Sequence, residues 1–456
     1  MSANGKEPDI RTVPRWPAEP ANRRVWRALT VVAVAAAACA GAAYLGHVGD
    51  FFLSDDFELV VGTIEGASLL EPISDHLRPM VRLHFLLYNL APTHLAFGLA
   101  SLLLHAACCF ALYALLSALY GHRPASLAAL AQFACFLGSG AVFWASAVGI
   151  LYCLLFSSLS LLAFVRGRLL TSTLLLVLAA ASYELWLVVP PLMTLLACRR
   201  RDLVVPWVLA LAYLAAYIAL FGPRLGVSYG GVAVAELPVR LSISAFRLVS
   251  PFAGEPPAWL GVVLMVPLAA LLWDPRFRFP VLAYAASAVL LSPASDFAGR
   301  FQYIPSAALV LILVLGLAAR PAAAAPAAAA LAGLLVVSPV VVWLDGGDYG
   351  RLAALHEELV REVGEELAPI PAGSFVILDN RLGPEPLLEY SATVRGTPKV
   401  VFVRGPGIGG MILPRTLVVF LLDRRGLAPV ASDCRGTRIQ VGDGPPRSHY
   451  CFRIRR

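Results

Sequence analysis

Residues 25–46 read VWRALTVVAVAAAACAGAAYLG, with Arg27 as the sole charge, and this stretch decides the class of fold. A helix rises about 1.5 Å per residue, so an apolar run of this length matches a hydrocarbon layer of roughly 30 Å. A secretory signal carries a shorter apolar segment, so the run is predicted to be an uncleaved first membrane helix. Residues 1–25 before it are polar, contain Pro14, Pro17 and Pro20, and carry Lys6, Arg11, Arg15, Arg23 and Arg24. They predict a disordered basic tail on the cytoplasmic side.

The rest of the chain repeats the first run. Of the 456 residues 59% are hydrophobic and 14% charged, and the mean hydropathy is +0.75. A water-soluble fold with this composition would lack polar surface. Further apolar runs centre near residues 105, 134, 156, 175, 191, 212, 265, 286, 311 and 333, giving, with the first, about eleven spans. The net charge of +7 does not point to nucleic acid, because many of the arginines sit in short clusters between apolar runs. Arg123, Arg166 with Arg168, Arg199 to Arg201, Arg276 with Arg278, and Arg320 recur in alternate loops, which assigns those loops to the cytoplasm. Loops 47–92 and 222–256 and everything after about 344 then face outward, and the chain is placed in the plasma (bacterial inner) membrane with membrane lipids as partners.

Several stretches depart from the simple pattern. Segments 169–181 and 185–198 are short and are separated by Ser182, Tyr183 and Glu184, as for full spans or for a tilted or re-entrant hairpin. Between 236 and 250 the alternation of Leu237, Val239, Leu241 and Ile243 with Arg240 and Arg247 predicts a helix along the outer interface. After Trp343 the composition changes. Leu352, Leu355, Leu359, Val363 and Leu367 predict an amphipathic helix over 350–368. Strands are expected at 375–378, 400–403 and 417–422, with a helix near 385–392. The predicted architecture is thus a polytopic all-α membrane domain over 26–344, followed by a small extracytoplasmic α/β domain over 345–456. Cys434 and Cys451 stand apart from the six cysteines of the apolar runs, and are candidate disulfide partners in an oxidising compartment.

The polar residues of the outer loops carry the chemistry. Ser54-Asp55-Asp56 follows the first span closely, and suits either a helix cap or a catalytic pair. Asp75-His76-Leu77-Arg78-Pro79-Met80-Val81-Arg82 follows, and the next span contains His105, which either is functional or bonds a neighbouring helix. Ser182-Tyr183-Glu184 precedes a run containing Pro190-Pro191. Gly299-Arg300-Phe301-Gln302-Tyr303-Ile304-Pro305-Ser306 comes late in the chain. In this order, over about residues 26–320, these elements resemble the GT-C superfamily of lipid-dependent glycosyltransferases, closest to protein O-mannosyltransferase-like proteins and their bacterial relatives. The late element has Ala298-Gly299 before Arg300 where that branch has Glu, so no carboxylate role carries over there.

The resemblance implies transfer of a sugar from a polyprenyl-phosphate donor to a glycan, lipid or protein acceptor at the outer face. It assigns the general base to Asp55, with Asp56 beside it. Arg78, Arg82 and Arg300 are candidates for the donor phosphate, because guanidinium offers planar paired donors. His76, Glu184 and Tyr303 are candidate substrate contacts, and Glu184 and Asp296, expected near the outer interface, suit either acceptor binding or support of the groups that bind it, or else helix caps. No cofactor is expected, since relatives using lipid monophosphate sugars do not generally depend on a divalent ion. A transporter or flippase of lipid-linked cargo, or a non-catalytic scaffold, is the rival reading, although transporters usually show paired repeats and none is visible here.

Overall fold

A computed structural model describes residues 23–53, 55–73, 76–197, 199–221, 246, 258–291, 299–317, 321–367, 375–379, 400–403, 417–429 and 449–455. These residues are mostly helical. The helices are α1 (Arg23–His47), α2 (Asp55–Ile64), α3 (Pro79–Phe85), α4 (Leu87–Leu90), α5 (His94–Tyr120), α6 (His122–Ala134), α7 (Gly140–Phe143) and α8 (Val148–Val165). They continue with α9 (Leu169–Ala180), α10 (Val189–Leu196), α11 (Val204–Phe221), α12 (Ala258–Leu271), α13 (Pro275–Leu291), α14 (Tyr303–Gly316) and α15 (Pro321–Leu367).

Among the described residues, five helical stretches are long and apolar enough to cross a membrane: Arg23–His47, His94–Tyr120, Ala145–Val165, Arg200–Leu220 and Ala324–Glu358. Leu169–Ala180, Glu184–Leu196 and Arg300–Gly316 are apolar but shorter. Their outward faces are as apolar as their buried ones. On α1, Leu29, Ala33, Ala36, Ala40 and Ala43 are buried at three- and four-residue spacing, while Val31 on the opposite side is 69% exposed. On α5 and α9, Phe110 and Leu170 are 72% and 75% exposed. In water such faces would carry charge, and lipid is the solvent they match. The alanine stripe of α1 packs against α6, where small residues let helices approach without a hydrophobic drive between them.

Two compact units divide the chain. One comprises Met1–Gly49, Leu69–His84 and Thr93–Tyr349, and the other Asp50–Ser68, Phe85–Pro92 and Gly350–Arg456. In the first, α8 and α9 form a hairpin through Gly167, whose φ is +70°. Ser160 and Ser172 tie its arms, each hydroxyl donating to the other's backbone carbonyl at 2.8 and 3.0 Å. The apolar run centred near 134 is not one helix. Helix α6 stops at Ala134 and is followed by a 3-10 turn at Phe136–Gly138, the short α7 and a second 3-10 turn at Ala145–Ala147. The break lies where Gly138 meets Tyr303 so closely that a Cβ at Gly138 would fall 2.5 Å from the tyrosine ring.

The second unit contains α2, α4 and the end of α15, together with four strands described in their backbone. These are β1 (Phe375–Asp379), β2 (Val400–Val403), β3 (Leu417–Pro429) and β4 (His449–Arg455). Their order in the sheet is β2-β1-β3-β4, with Val376 opposite Val400 and Val418 in parallel register. The helix expected over 350–368 is the continuation of α15, which runs unbroken from Pro321 to Leu367. Of the interfacial helix expected over 236–250 only residue 246 is described, and the helix near 385–392 falls outside the described residues.

Candidate functional site

The 76–82 segment is held down on the end of α9. Met80 N–H donates to the carbonyl of Ala181 at 3.0 Å, and the N-terminus of α8 passes beneath. At Gly149 a Cβ would lie 2.8 Å from both the Ser182 carbonyl oxygen and Val81, so only glycine fits without displacement. This packing brings Arg78 and His76 onto Glu184, more than a hundred residues away in the chain. The Arg78 guanidinium donates through Nη2 to Oε2 at 2.9 Å and through Nε to Oε1 at 3.3 Å, a paired geometry that a lysine would not reproduce. Its face lies over the Tyr183 ring at 4.2 Å. His76 lies with Nδ1 3.0 Å from the same Oε1.

Burial pushes the Glu184 carboxyl upward, but the charge of Arg78 and the bonds from His76 and Arg78 outweigh it and hold the group down at about 2. Glu184 is therefore a carboxylate at neutral pH. The proton in the His76 contact then belongs to Nδ1, which donates to that carboxylate.

Arg82 is used differently. Its Nε and Nη2 donate to the carbonyls of Glu71 and Pro72, each at 3.1 Å, and the side chain is buried. These bonds close the loop that carries His76 and Arg78. His84, two residues further on, lies 3.2 Å from the Tyr152 hydroxyl and edge-on to Phe97. Burial lowers its pKa to about 4, which keeps the ring neutral.

Arg300 occupies the 3-10 turn Gly299–Gln302 before α14. Its guanidinium stacks on the Trp144 ring at 3.7 Å and on Phe301 at 4.8 Å. Tyr303 is buried, and its hydroxyl meets His105 Nδ1 at 2.6 Å. Of the two readings of His105, the structure describes the bond to a neighbouring helix. Sequence reasoning did not single out Ser139, Trp144 or Asp345. The Ser139 hydroxyl donates to Asp345 Oδ2 at 2.6 Å, and the signal for Trp144 was no more than an aromatic near an apolar run.

In the second unit, Asp55 and Asp56 open α2. Asp56 is 1% exposed and its Oδ2 accepts the Leu53 N–H at 2.9 Å, while its own N–H donates to the Leu53 carbonyl at 2.8 Å. That reciprocal pair works as a helix-start clasp. His356 of α15 approaches the same turn, with Nδ1 3.4 Å from the Phe52 carbonyl and its ring edge-on to Phe57. The Asp55 carboxyl, Asp75, Asp296 and Cys434 lie outside the described residues, and Cys451 is described only as a backbone position in β4.

No family model matches this chain, and no curated protein matches it.

Proposed function

We propose that this chain is a membrane-embedded glycosyltransferase that takes a sugar from a polyprenyl-phosphate donor and passes it to an acceptor hydroxyl at the outer face. The observation that supports this reading most is the contact of Arg78 and His76 with Glu184. Two elements that the resemblance relates only by their order along the chain are in direct contact. In the reaction, the acceptor oxygen bonds to the anomeric carbon as the bond from that carbon to phosphate oxygen breaks. Polyprenyl phosphate leaves, and the acceptor's proton passes to a carboxylate base. Asp55 is assigned that proton, and inversion at the anomeric carbon follows from single displacement.

The leaving phosphate needs a cation. Arg78 already faces the ionised Glu184 and Arg82 is engaged with its own loop. We assign that role to Arg300, the arginine of the late element, whose planar guanidinium carries paired donors that match a phosphate. Glu184, Arg78 and His76 then act as a neutralised brace that shapes the outer loop. The same reading places the N-terminus in the cytoplasm, and the C-terminal sheet with the end of α15 outside as an α/β domain.

The test supplies membranes containing the protein with radiolabelled polyprenyl-phosphate sugars. Wild type consumes the donor and Asp55→Asn does not, with about a hundred- to ten-thousand-fold loss for a missing base. A donor that crosses the bilayer unaltered identifies a flippase instead.

A further inference from the structure

Tyr303 and His105 belong to helices nearly two hundred residues apart, and their bond has an unambiguous direction. His105 Nε2 lies 3.1 Å from the Phe133 carbonyl, which only accepts, so the ring proton sits on Nε2. Nδ1 is then the acceptor, and the Tyr303 hydroxyl donates to it at 2.6 Å. The imidazole also stacks on the Phe133 ring with centroids 4.8 Å apart. Every polar atom of the buried imidazole is satisfied without a charge, as an apolar interior requires.

Tyr303 is held at other points too. Its backbone carbonyl accepts from Gln132 Nε2 at 3.3 Å. One turn on, Ser306 Oγ donates to Gln132 Oε1 at 3.3 Å, and on another side the tyrosine ring abuts Gly138. Tyr303 is the first residue of α14 and directly follows the 3-10 turn that carries Arg300. A 3-10 turn is tight, with three residues per turn, so anchoring its exit sets the direction of the residue three positions earlier.

We infer that His105 and Tyr303 are a positioning pair that fixes the Arg300 guanidinium on Trp144. Tyr303 thus serves Arg300 and does not itself meet substrate. The purpose of that fixation rests on the proposed role of Arg300 toward the lipid phosphate, and the test separates the two ideas.

The full-length protein in phosphatidylcholine nanodiscs is treated with phenylglyoxal, and modification at Arg300 is followed by peptide mass spectrometry with and without undecaprenyl monophosphate. The exposed Arg166 is the internal control. Tyr303→Phe and His105→Leu each raise the Arg300 rate about five- to tenfold, the population change for one neutral hydrogen bond lost. The double variant rises no further than either single one. His105→Gln restores the wild-type rate, since its amide both accepts and donates. Arg166 stays constant throughout.

If Tyr303→Phe, which removes one oxygen, lowers the melting temperature but leaves the Arg300 rate unchanged, the bond is merely structural and the inference falls. Independent rises that add in the double variant overturn it as well. If undecaprenyl monophosphate fails to slow modification of wild type while Tyr303→Phe accelerates it, the positioning pair stands and the phosphate role of Arg300 fails. Should His105→Leu not fold, Tyr303→Phe alone decides the matter.

Discussion

Replacing Arg78 with alanine leaves a carboxylate whose surroundings no longer justify its charge. In the wild type the Glu184 side chain is 23% exposed and that of Arg78 14%. The drop of the Glu184 pKa from 4.5 to about 2 corresponds to about 3 kcal/mol of net stabilisation of the charged form at ~1.4 kcal/mol per pH unit. The remaining exposure screens part of this, so about 2 kcal/mol is expected for the brace. Because the folded-state pKa lies below that of the unfolded chain, the contribution is fully present above pH 4.5 and is lost as pH falls through about 2. In Arg78→Ala, burial dominates and raises the Glu184 pKa, so the sign reverses and stability declines as pH rises toward neutrality. Melting in detergent, read with a thiol-reactive dye that reports exposure of the buried Cys108 and Cys153, should show Arg78→Ala roughly 2–3 °C lower at pH 7. Arg78→Ala with Glu184→Gln should recover part of that loss, since no buried charge remains. Equal melting of wild type and Arg78→Ala, or a double variant as damaged as the sum of the singles, would refute the reasoning.

Other expectations follow from the same geometry. His84, with its pKa lowered to about 4, stabilises the fold above its unfolded value of about 6.5 and loses that contribution as pH falls toward 4. The His84→Gln variant should therefore show a flatter melting curve against pH over that window, and an unchanged slope would contradict the burial argument. A phosphatase fused after Arg456 should be active and a fluorescent reporter there dark, and the reverse result overturns the outward placement of the C-terminal residues. Mass spectrometry of unreduced peptides should link Cys434 to Cys451, a bridge worth roughly 3 kcal/mol for its loop length. Two free thiols in protein kept oxidised would exclude it.

The membrane character was legible in the sequence because apolar runs report their solvent directly. Whether a run forms one straight helix was not. The stretch near 134 is broken because a distant tyrosine packs against Gly138, and no local pattern announces that contact. The change of composition after Trp343 marks the boundary between 26–344 and 345–456 in the sequence, yet α15 passes through it. At the candidate site, residue types were readable and partners were not. Glu184 alone suits a cap equally well, and its meeting with Arg78 depends on the 76–82 segment folding over α9. His105 was legible as a costly polar group in an apolar run, while the identity of its acceptor and donor depends on how α5, α6 and α14 pack.

The most direct measurement is the stoichiometry of the proposed reaction with purified protein in nanodiscs supplied with polyprenyl-phosphate hexose and pentose donors and a mixture of candidate acceptors. Free polyprenyl phosphate should appear in step with glycosylated product, without added nucleotide. Asp55→Asn should slow it by about a hundredfold or more while melting within about 1 kcal/mol of wild type. Release of polyprenyl phosphate at equal rates from wild type and folded Asp55→Asn, or no release from any donor, would contradict the assignment of this chain as a transferase with Asp55 as its base.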